Sequence, residues 1–348
     1  MARSAGRTRP VIKDVAKLAG VSAPTVSRYL NGTVNVTEDK RERIAKAIKE
    51  LGYEPSIAAR ALSNREMDSV VVFAANPSAF STSETNHGVE AAARKRRFLL
   101  NIVSLDESDM DSVKARVRMG LSIRPAGVIV YEYDRAGIAA LEYIPKDMPM
   151  VVVGGSFGDG EYQVINAERD GGRWMTMHLL DLGHRTVFHV GRPEGPTDNT
   201  RTNGWRDALK ERGVTAPDPI IVPDDDLEES VKAGRTLGRR GDVTAIFAGN
   251  DETAIAVIRG LREVGRRVPA DVSVVGFDDR NFGAMWNPAL TSYTQNFLDM
   301  GERSFRMLFE QIQAKRAGDD APPSQVEVVQ GKPCLRASER AYGDGEIA

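Results

Sequence analysis

Cysteine is almost missing from this chain of 348 residues; Cys334 is the only one. No disulfide can form within it, so its stability must come from packed cores. One cysteine and four histidines, His87, His178, His184 and His189, make no zinc-ligand spacing, and neither a metal nor a cofactor is expected. Long apolar runs are also lacking. None approaches the roughly 18 residues of a membrane span, so no membrane partner is expected. The basic start "MARSAGRTRP" is not followed by an apolar stretch of about 7–15 residues, so a cytoplasmic protein is expected and a secretory leader is not. Nucleotide fingerprints are absent as well. "VVVGGSFGDG" does not give G-x-G-x-x-G, and no G-x-x-x-x-G-K-[ST] occurs. No serine, cysteine and acid constellation surrounds the histidines, which read as structural. The run Asp224–Asp226 after Pro223 reads as a solvated loop. Nothing in the residues points to an enzyme.

Charge is present but unevenly spread. Residues 1–65 hold 13 Lys and Arg against 6 Asp and Glu, a surplus of +7, while the rest holds 34 against 43, a deficit of −9. A small basic head on an acidic body suits contact with nucleic acid at one end.

The head reads as three short helices. Ile12, Val15, Ala16 and Ala19 give one buried stripe, and Gly20 stops that helix because glycine tolerates the left-handed conformation. Ser22 is a good cap for the next helix, and Pro24 falls in its first turn, where a missing N–H costs nothing. Val26 and Leu30 are its buried face. A third helix carries Ile44, Ala47, Ile48 and Leu51 and closes at Gly52. Three helices with a glycine turn between the first two form a helix-turn-helix unit. The stretch "SIAARALSNRE" can make a short helix, capped by Ser56, that is too short to be stable alone.

From Ser69 the pattern changes to short apolar β-rich runs at 69–75, 98–104, 127–131, 150–155, 186–191, 219–223, 245–250 and 272–277. Helical stretches at 84–97, 108–122, 168–182, 199–212, 228–240 and 252–264 separate most of them. Strands apolar on both sides, alternating with helices, predict parallel sheets covered on both faces. Eight such strands exceed what one sheet needs, so two Rossmann-like lobes with a cleft between them are expected. In open α/β sheets ligands bind beyond the carboxyl ends of strands. Asn250, Asp278, Gln295 and Phe297 lie at such ends, and Arg201 starts a helix. Arg, Asn, Asp and Gln beside an aromatic wall suit a neutral polyhydroxylated ligand.

Between Val11 and about Ser338 the chain resembles the LacI/GalR family of transcriptional regulators. "DVAKLAGVSAPTVSRYLNG" resembles that family's DNA-reading head, and Tyr53-x-Pro55-x-x-x-Ala59-Arg60-x-Leu62 its hinge-helix motif. "LLDLGHRTVFHVG", "NTRTNGW", "AIFAGNDETAIAVIRGL", "VPADVSVVGFDD", "NPALTSYTQNF" and "PCLRAS" resemble its body, in order. The resemblance implies a homodimer with a helix-turn-helix head (11–55), a hinge helix and linker (56–68) and a two-lobed body like a periplasmic sugar-binding protein (69–338). The N-lobe would take about 69–166 and 296–322, and the C-lobe about 167–295 and 323–338. It further implies a pseudo-palindromic double-stranded operator and a small-molecule effector, a sugar or sugar relative, that alters operator binding by folding or melting the hinge helices.

Carried over residue by residue, Thr25 and Ser27 would set the head on phosphates, Ser22 would belong to the same DNA-binding face, and Arg28 would read a base edge with help from Ser27 and Asn31. Ala23 and Pro24 would offer only apolar contacts. Leu62, next to Ala59, would wedge into the minor groove. Arg201, Asn250, Asp278 and Gln295 would hold the effector and Phe297 would stack on it, with Phe80 nearby. Three stretches depart from the family's pattern. "AANPSAFSTSETNHG" lacks an aromatic pair, Ala167-Glu168 stand where many members have Asp-Asn, and Leu227–Ser230 have no aromatic. The pocket floor is kept and its lid altered. An effector that promotes DNA binding, and a solute-binding module with no DNA role, are the alternative readings; the basic head argues against the second.

Overall fold

The structure is a computed structural model that describes residues 10–30, 36–53, 67–155, 162–195, 197–223 and 226–343. The chain divides into two units, residues 1–68 and 69–348.

In the first unit, α1 (Ile12–Ala19), α2 (Ala23–Leu30) and α3 (Glu38–Leu51) surround Val15, Val26, Ile44 and Tyr53. Gly20 has φ 63° and ends α1, with Val21 N–H donating to the Ala16 carbonyl at 3.0 Å and Gly20 N–H to Lys17 at 3.4 Å. This paired closure needs a left-handed residue, which only glycine supplies without strain. Gly52 closes α3 in the same way, seating Tyr53 in the core. Ser22 Oγ accepts the Thr25 N–H at 3.3 Å, as expected of a cap, and lies 2.8 Å from Thr25 Oγ1.

The second unit contains two parallel sheets. The first is built from β1 (Met67–Ala74), β2 (Leu99–Ser104), β3 (Pro125–Tyr131), β4 (Met150–Val153), β5 (Gln163–Asn166) and β11 (Val326–Val329), in the order β11-β5-β4-β3-β1-β2. Successive side chains of a strand face opposite sides. Val70, Val72 and Ile129 therefore meet α4 (Phe80–Lys95) and α12 (Phe297–Ala317), while Val71, Phe73 and Val128 meet α5 (Met110–Ser122) and α6 (Arg135–Leu141). The second sheet has β6 (Phe188–Gly191), β7 (Ile220–Ile221), β8 (Ala245–Ala248) and β9 (Ser273–Val275), in the order β7-β6-β8-β9. Its faces are covered by α7 (Glu168–Asp181) with α8 (Arg201–Glu211), and by α9 (Leu227–Gly238) with α10 (Asp251–Glu263). The short α11 (Asn281–Met285) follows β9, and β10 (Ser292–Thr294) pairs antiparallel with β12 (Lys332–Cys334).

Each major helix pair closes through reciprocal glycines: Gly88 and Gly301 between α4 and α12, Gly172 and Gly204 between α7 and α8, Gly234 and Gly260 between α9 and α10. A Cβ on Gly301 would sit 2.1 Å from the Thr85 carbonyl oxygen.

Two boundaries differ from the sequence reading. Strand β11 pairs in parallel with β5, Val326 opposite Gln163 through Val329 opposite Asn166. The stretch assigned to the C-lobe from 323 thus stays in the first sheet until Val329. Met67 and Asp68, assigned to the linker, already belong to β1. Strands β5, β10, β11 and β12 add to the eight expected. Polar residues break the apolar pattern of β5 and β11: Gln163 is buried with its amide donating to the Gly154 carbonyl at 2.7 Å, and Glu327 pairs with Arg306 at 2.6 Å. Among the described residues, no helix is long and apolar enough to cross a membrane.

Candidate functional site

Helix α2 turns Val26 fully into the head's core, with Ala23, Tyr29 and Leu30 leaning on it. Burial of that stripe fixes what faces outward: Ser22, Pro24 and Arg28 are exposed, and Thr25 and Ser27 are half-buried. Ala23 is less open than expected, because it packs on the core as the first residue of the helix. The hydroxyls of Ser22 and Thr25 are engaged with each other in the cap. Asn31, Ala59 and Leu62, together with the hinge helix, lie outside the described residues.

In the second unit a cavity of about 780 Å³ opens at the carboxyl ends of strands from both sheets. Ala74 ends β1 and Ala75 and Asn76 follow it, Tyr133 and Asp134 follow β3, Gly154 follows β4, Arg192 follows β6 and Gly249 follows β8. This is where an open α/β sheet presents free backbone ends and helix starts to a ligand.

Arg201, the first residue of α8, sits behind the Thr200 cap, whose hydroxyl accepts the Asn203 N–H at 3.1 Å. Its guanidinium lies 2.9 Å from Asp278 Oδ1 and 3.3 Å from Glu168 Oε1, and it donates to the Gly249 carbonyl. It also stacks 4.1 Å from the centroid of Phe277. Gln295 Nε2 donates to the same Asp278 oxygen at 2.9 Å. Asp278 has φ 91° and Asp279 φ 51°, so the turn after β9 is held in the left-handed region by these bonds. Asp279 in turn bonds Arg336 at 2.6 Å.

The structure thus joins Arg201, Asp278 and Gln295 in one buried network, with Arg201 at the cavity wall and the other two behind it. Phe297 lines the cavity, while Phe80 packs edge-on against it, ring centroids 5.8 Å apart, behind the wall. Asn250 is not a wall residue either. Its Oδ1 accepts the Thr253 N–H at 2.8 Å and caps α10.

Burial shifts several titratable groups, and two of these shifts reach the range between pH 4 and 7. Burial pushes His189 down to about 4, so it is neutral near pH 7. It lies between Trp205 and Phe247, with Nδ1 donating to the Phe247 carbonyl at 2.8 Å and Nε2 accepting from the Thr202 hydroxyl at 2.9 Å. Burial pushes Asp251 up to about 7, against hydrogen bonds from Ser292 Oγ and the Arg280 N–H, both at 2.6 Å. His184 is spoken for by Thr244 and Ser273, and His178 stacks on Trp174. No group of three or more His, Cys, Asp or Glu among the described residues is placed to hold a metal.

Asn166 and Tyr133 are among the cavity residues that escaped the sequence reading. Asn166 ends β5, which polar Gln163 disguised, and Tyr133 follows β3. The rule that points to strand ends would have found Asn166 once its strand was seen.

Residues 11–56 match the family described as bacterial regulatory proteins, lacI family, and residues 176–338 match the periplasmic binding protein-like domain. The chain is 34% identical over 322 residues to the HTH-type transcriptional repressor PurR of Proteus mirabilis, covering 90% of this chain and 93% of that one. It is also 34% identical to the HTH-type transcriptional regulator CelR of Thermobifida fusca, over 88% of this chain and 93% of that one. Among solved structures, the lac repressor dimer bound to operator and the anti-inducer ONPF superposes with a TM-score of 0.82 at 25% identity, covering 96% of this chain and all of that one. A CelR–cellobiose complex superposes with a TM-score of 0.68 at 28% identity, over 95% of this chain and all of that one. A basic three-helix head, a two-sheet body with a cleft at its strand ends, and these likenesses along nearly the whole length lead to one assignment: the chain belongs to the LacI family of DNA-binding transcriptional regulators.

Proposed function

We propose that the protein is a homodimeric repressor that binds a pseudo-palindromic operator in the cytoplasm and is released when a carbohydrate enters the cleft around Arg201. It works by binding, not by turnover. The observation that carries this reading is the buried Arg201–Asp278–Gln295 network behind the wall of a cavity at the strand ends, in a chain whose head exposes Arg28 on a helix-turn-helix. Arg28 would read a base edge, Ser22, Thr25 and Ser27 would approach phosphates, and Asn31, Ala59 and Leu62 keep the roles the resemblance implies. Residues 11–55 form the head, 56–66 the linker, and the remainder the effector-binding and dimerising body.

The likeness to a relative solved with cellobiose supports a saccharide as effector. The direction of coupling follows from which lobe arrangement the ligand prefers, since a ligand shifts an equilibrium only by its differential affinity. A gel shift on the DNA upstream of the protein's own gene, repeated with neutral saccharides, tests the reading. Release of a specific complex is expected. Equal retention of specific and random DNA, or a complex indifferent to every saccharide, would contradict it.

A further inference from the structure

Asn166 is the last residue of β5, only 5% exposed, and it lines the cavity. Among the described residues, neither its Oδ1 nor its Nδ2 has a hydrogen-bond partner. Its backbone carbonyl accepts from Asn199 Nδ2 at 2.7 Å, so the chain has positioned the residue and left its side-chain amide open. A buried amide without a partner costs about 1–3 kcal/mol, and native proteins keep few such groups. Two other side-chain atoms share the condition: Arg201 Nε and Gln295 Oε1 are buried and unpartnered among the described residues as well. Arg201 lines the cavity with Asn166, and Gln295 is joined to Arg201 through Asp278.

We propose that Asn166 determines specificity in this cleft, donating through Nδ2 and accepting through Oδ1 to neighbouring hydroxyls of an uncharged oligosaccharide. The inference rests on the reading of the cleft as the effector site. The amide offers one acceptor and two donors and no charge, which matches a pair of hydroxyls that each give and take a hydrogen bond. Charge argues the same way. Arg201 is already held by Asp278 and Glu168, and among the described residues five carboxylates line the cavity against three guanidinium groups. A phosphate or carboxylate drawn to Arg201 would have to displace Glu168 or Asp278 from it and then face the remaining acids. Size separates the uncharged candidates. At about 780 Å³ the cavity stands in the upper part of the usual range of about 300–1,000 Å³, with room for a disaccharide and far more than a lone nucleobase fills. Phe297 gives a sugar ring an apolar face to lie on.

Isothermal titration of the full chain with cellobiose, maltose, glucose 6-phosphate, gluconate and hypoxanthine, for wild type, Asn166→Leu and Asn166→Asp, tests this. Wild type should bind a neutral disaccharide and reject the two anions. Asn166→Leu should lose at least tenfold in that affinity while its unliganded melting temperature stays level or rises, because an unpartnered amide has been replaced by an apolar group of similar size. Asn166→Asp should lose affinity too, since a carboxylate only accepts. Disaccharide binding that is equal in wild type and Asn166→Leu would overturn the role of Asn166 and leave the cleft reading standing. So would a lower unliganded melting temperature without loss of affinity, which marks a structural residue. Preference for an anion or for hypoxanthine would overturn the ligand class. Binding of none of the five would overturn the cleft reading and this inference with it.

Discussion

The guanidinium of Arg280 lies 3.9 Å from the centroid of the Phe80 ring. Phe80 opens α4 on the first sheet, and Arg280 follows β9 of the second, so the pair spans the two halves of the body. Arg280 is aimed by Glu252 at 2.5 Å, while the Phe80 ring stands edge-on to Phe297 at the cavity wall. A cleft aromatic is thereby tied to the partner lobe.

A double-mutant cycle isolates that tie. Phe80→Leu and Arg280→Ala, separately and together, should show a coupling energy of about 0.5–1 kcal/mol in urea unfolding, the range for a partly exposed cation–π pair. Additive effects would mean the two residues merely lie close.

Asp251 makes stability depend on pH. Its native pKa of about 7 stands above the usual 3.8, so the folded state holds the proton more tightly than the unfolded one. Its contribution is complete below about pH 4 and is lost as pH rises through 7. Asp251→Asn keeps an acceptor for the Arg280 N–H and removes the titration. The variant should gain stability on wild type as pH goes from 4 to 7, by a few kcal/mol at most. Parallel stability curves for the two proteins would contradict the assignment.

His189 works in the opposite sense. With its native pKa lowered from 6.5 to about 4, the unfolded state binds the proton more readily. Its contribution is present above about pH 6.5 and is lost as pH falls through 4. His189→Gln should start less stable at pH 7, having lost the stack on Trp205 and Phe247, and should then decline less steeply on acidification. An acid limb as steep as that of wild type would show that His189 does not titrate on unfolding.

Gly301→Ala tests the glycine contacts. The added Cβ meets the Thr85 carbonyl oxygen at 2.1 Å, and backbone on both sides resists movement. The expected cost is about 1–3 kcal/mol of stability, read by thermal or urea unfolding. A neutral substitution would mean that α4 and α12 part easily.

Much of the architecture was legible because buried parallel strands are apolar on both faces. Val70 to Phe73 could be read directly, each alternate residue feeding a different core. Strands whose apolar pattern is broken were not legible. Gln163 in β5 and Glu327 in β11 satisfy their polar ends through contacts distant in sequence, which no local pattern reveals. The site divides in the same way. Arg201, Asp278 and Gln295 could be named from motifs, and the structure adds that they bond one another. Asn250 and Phe80 could also be named, but one is used as a helix cap and the other carries Arg280. Asn166 was invisible because its strand was.

In the function proposed above, occupancy of the cleft governs the grip of the head on DNA, and operator affinity with and without saccharide reads that coupling. For wild type, the neutral disaccharide that binds should weaken a specific operator complex. For Asp278→Asn, which keeps the shape of the side chain but not the charge facing Arg201, the operator complex should form as before and the disaccharide should no longer weaken it. An Asp278→Asn protein that releases operator at the same disaccharide concentration as wild type would contradict the account.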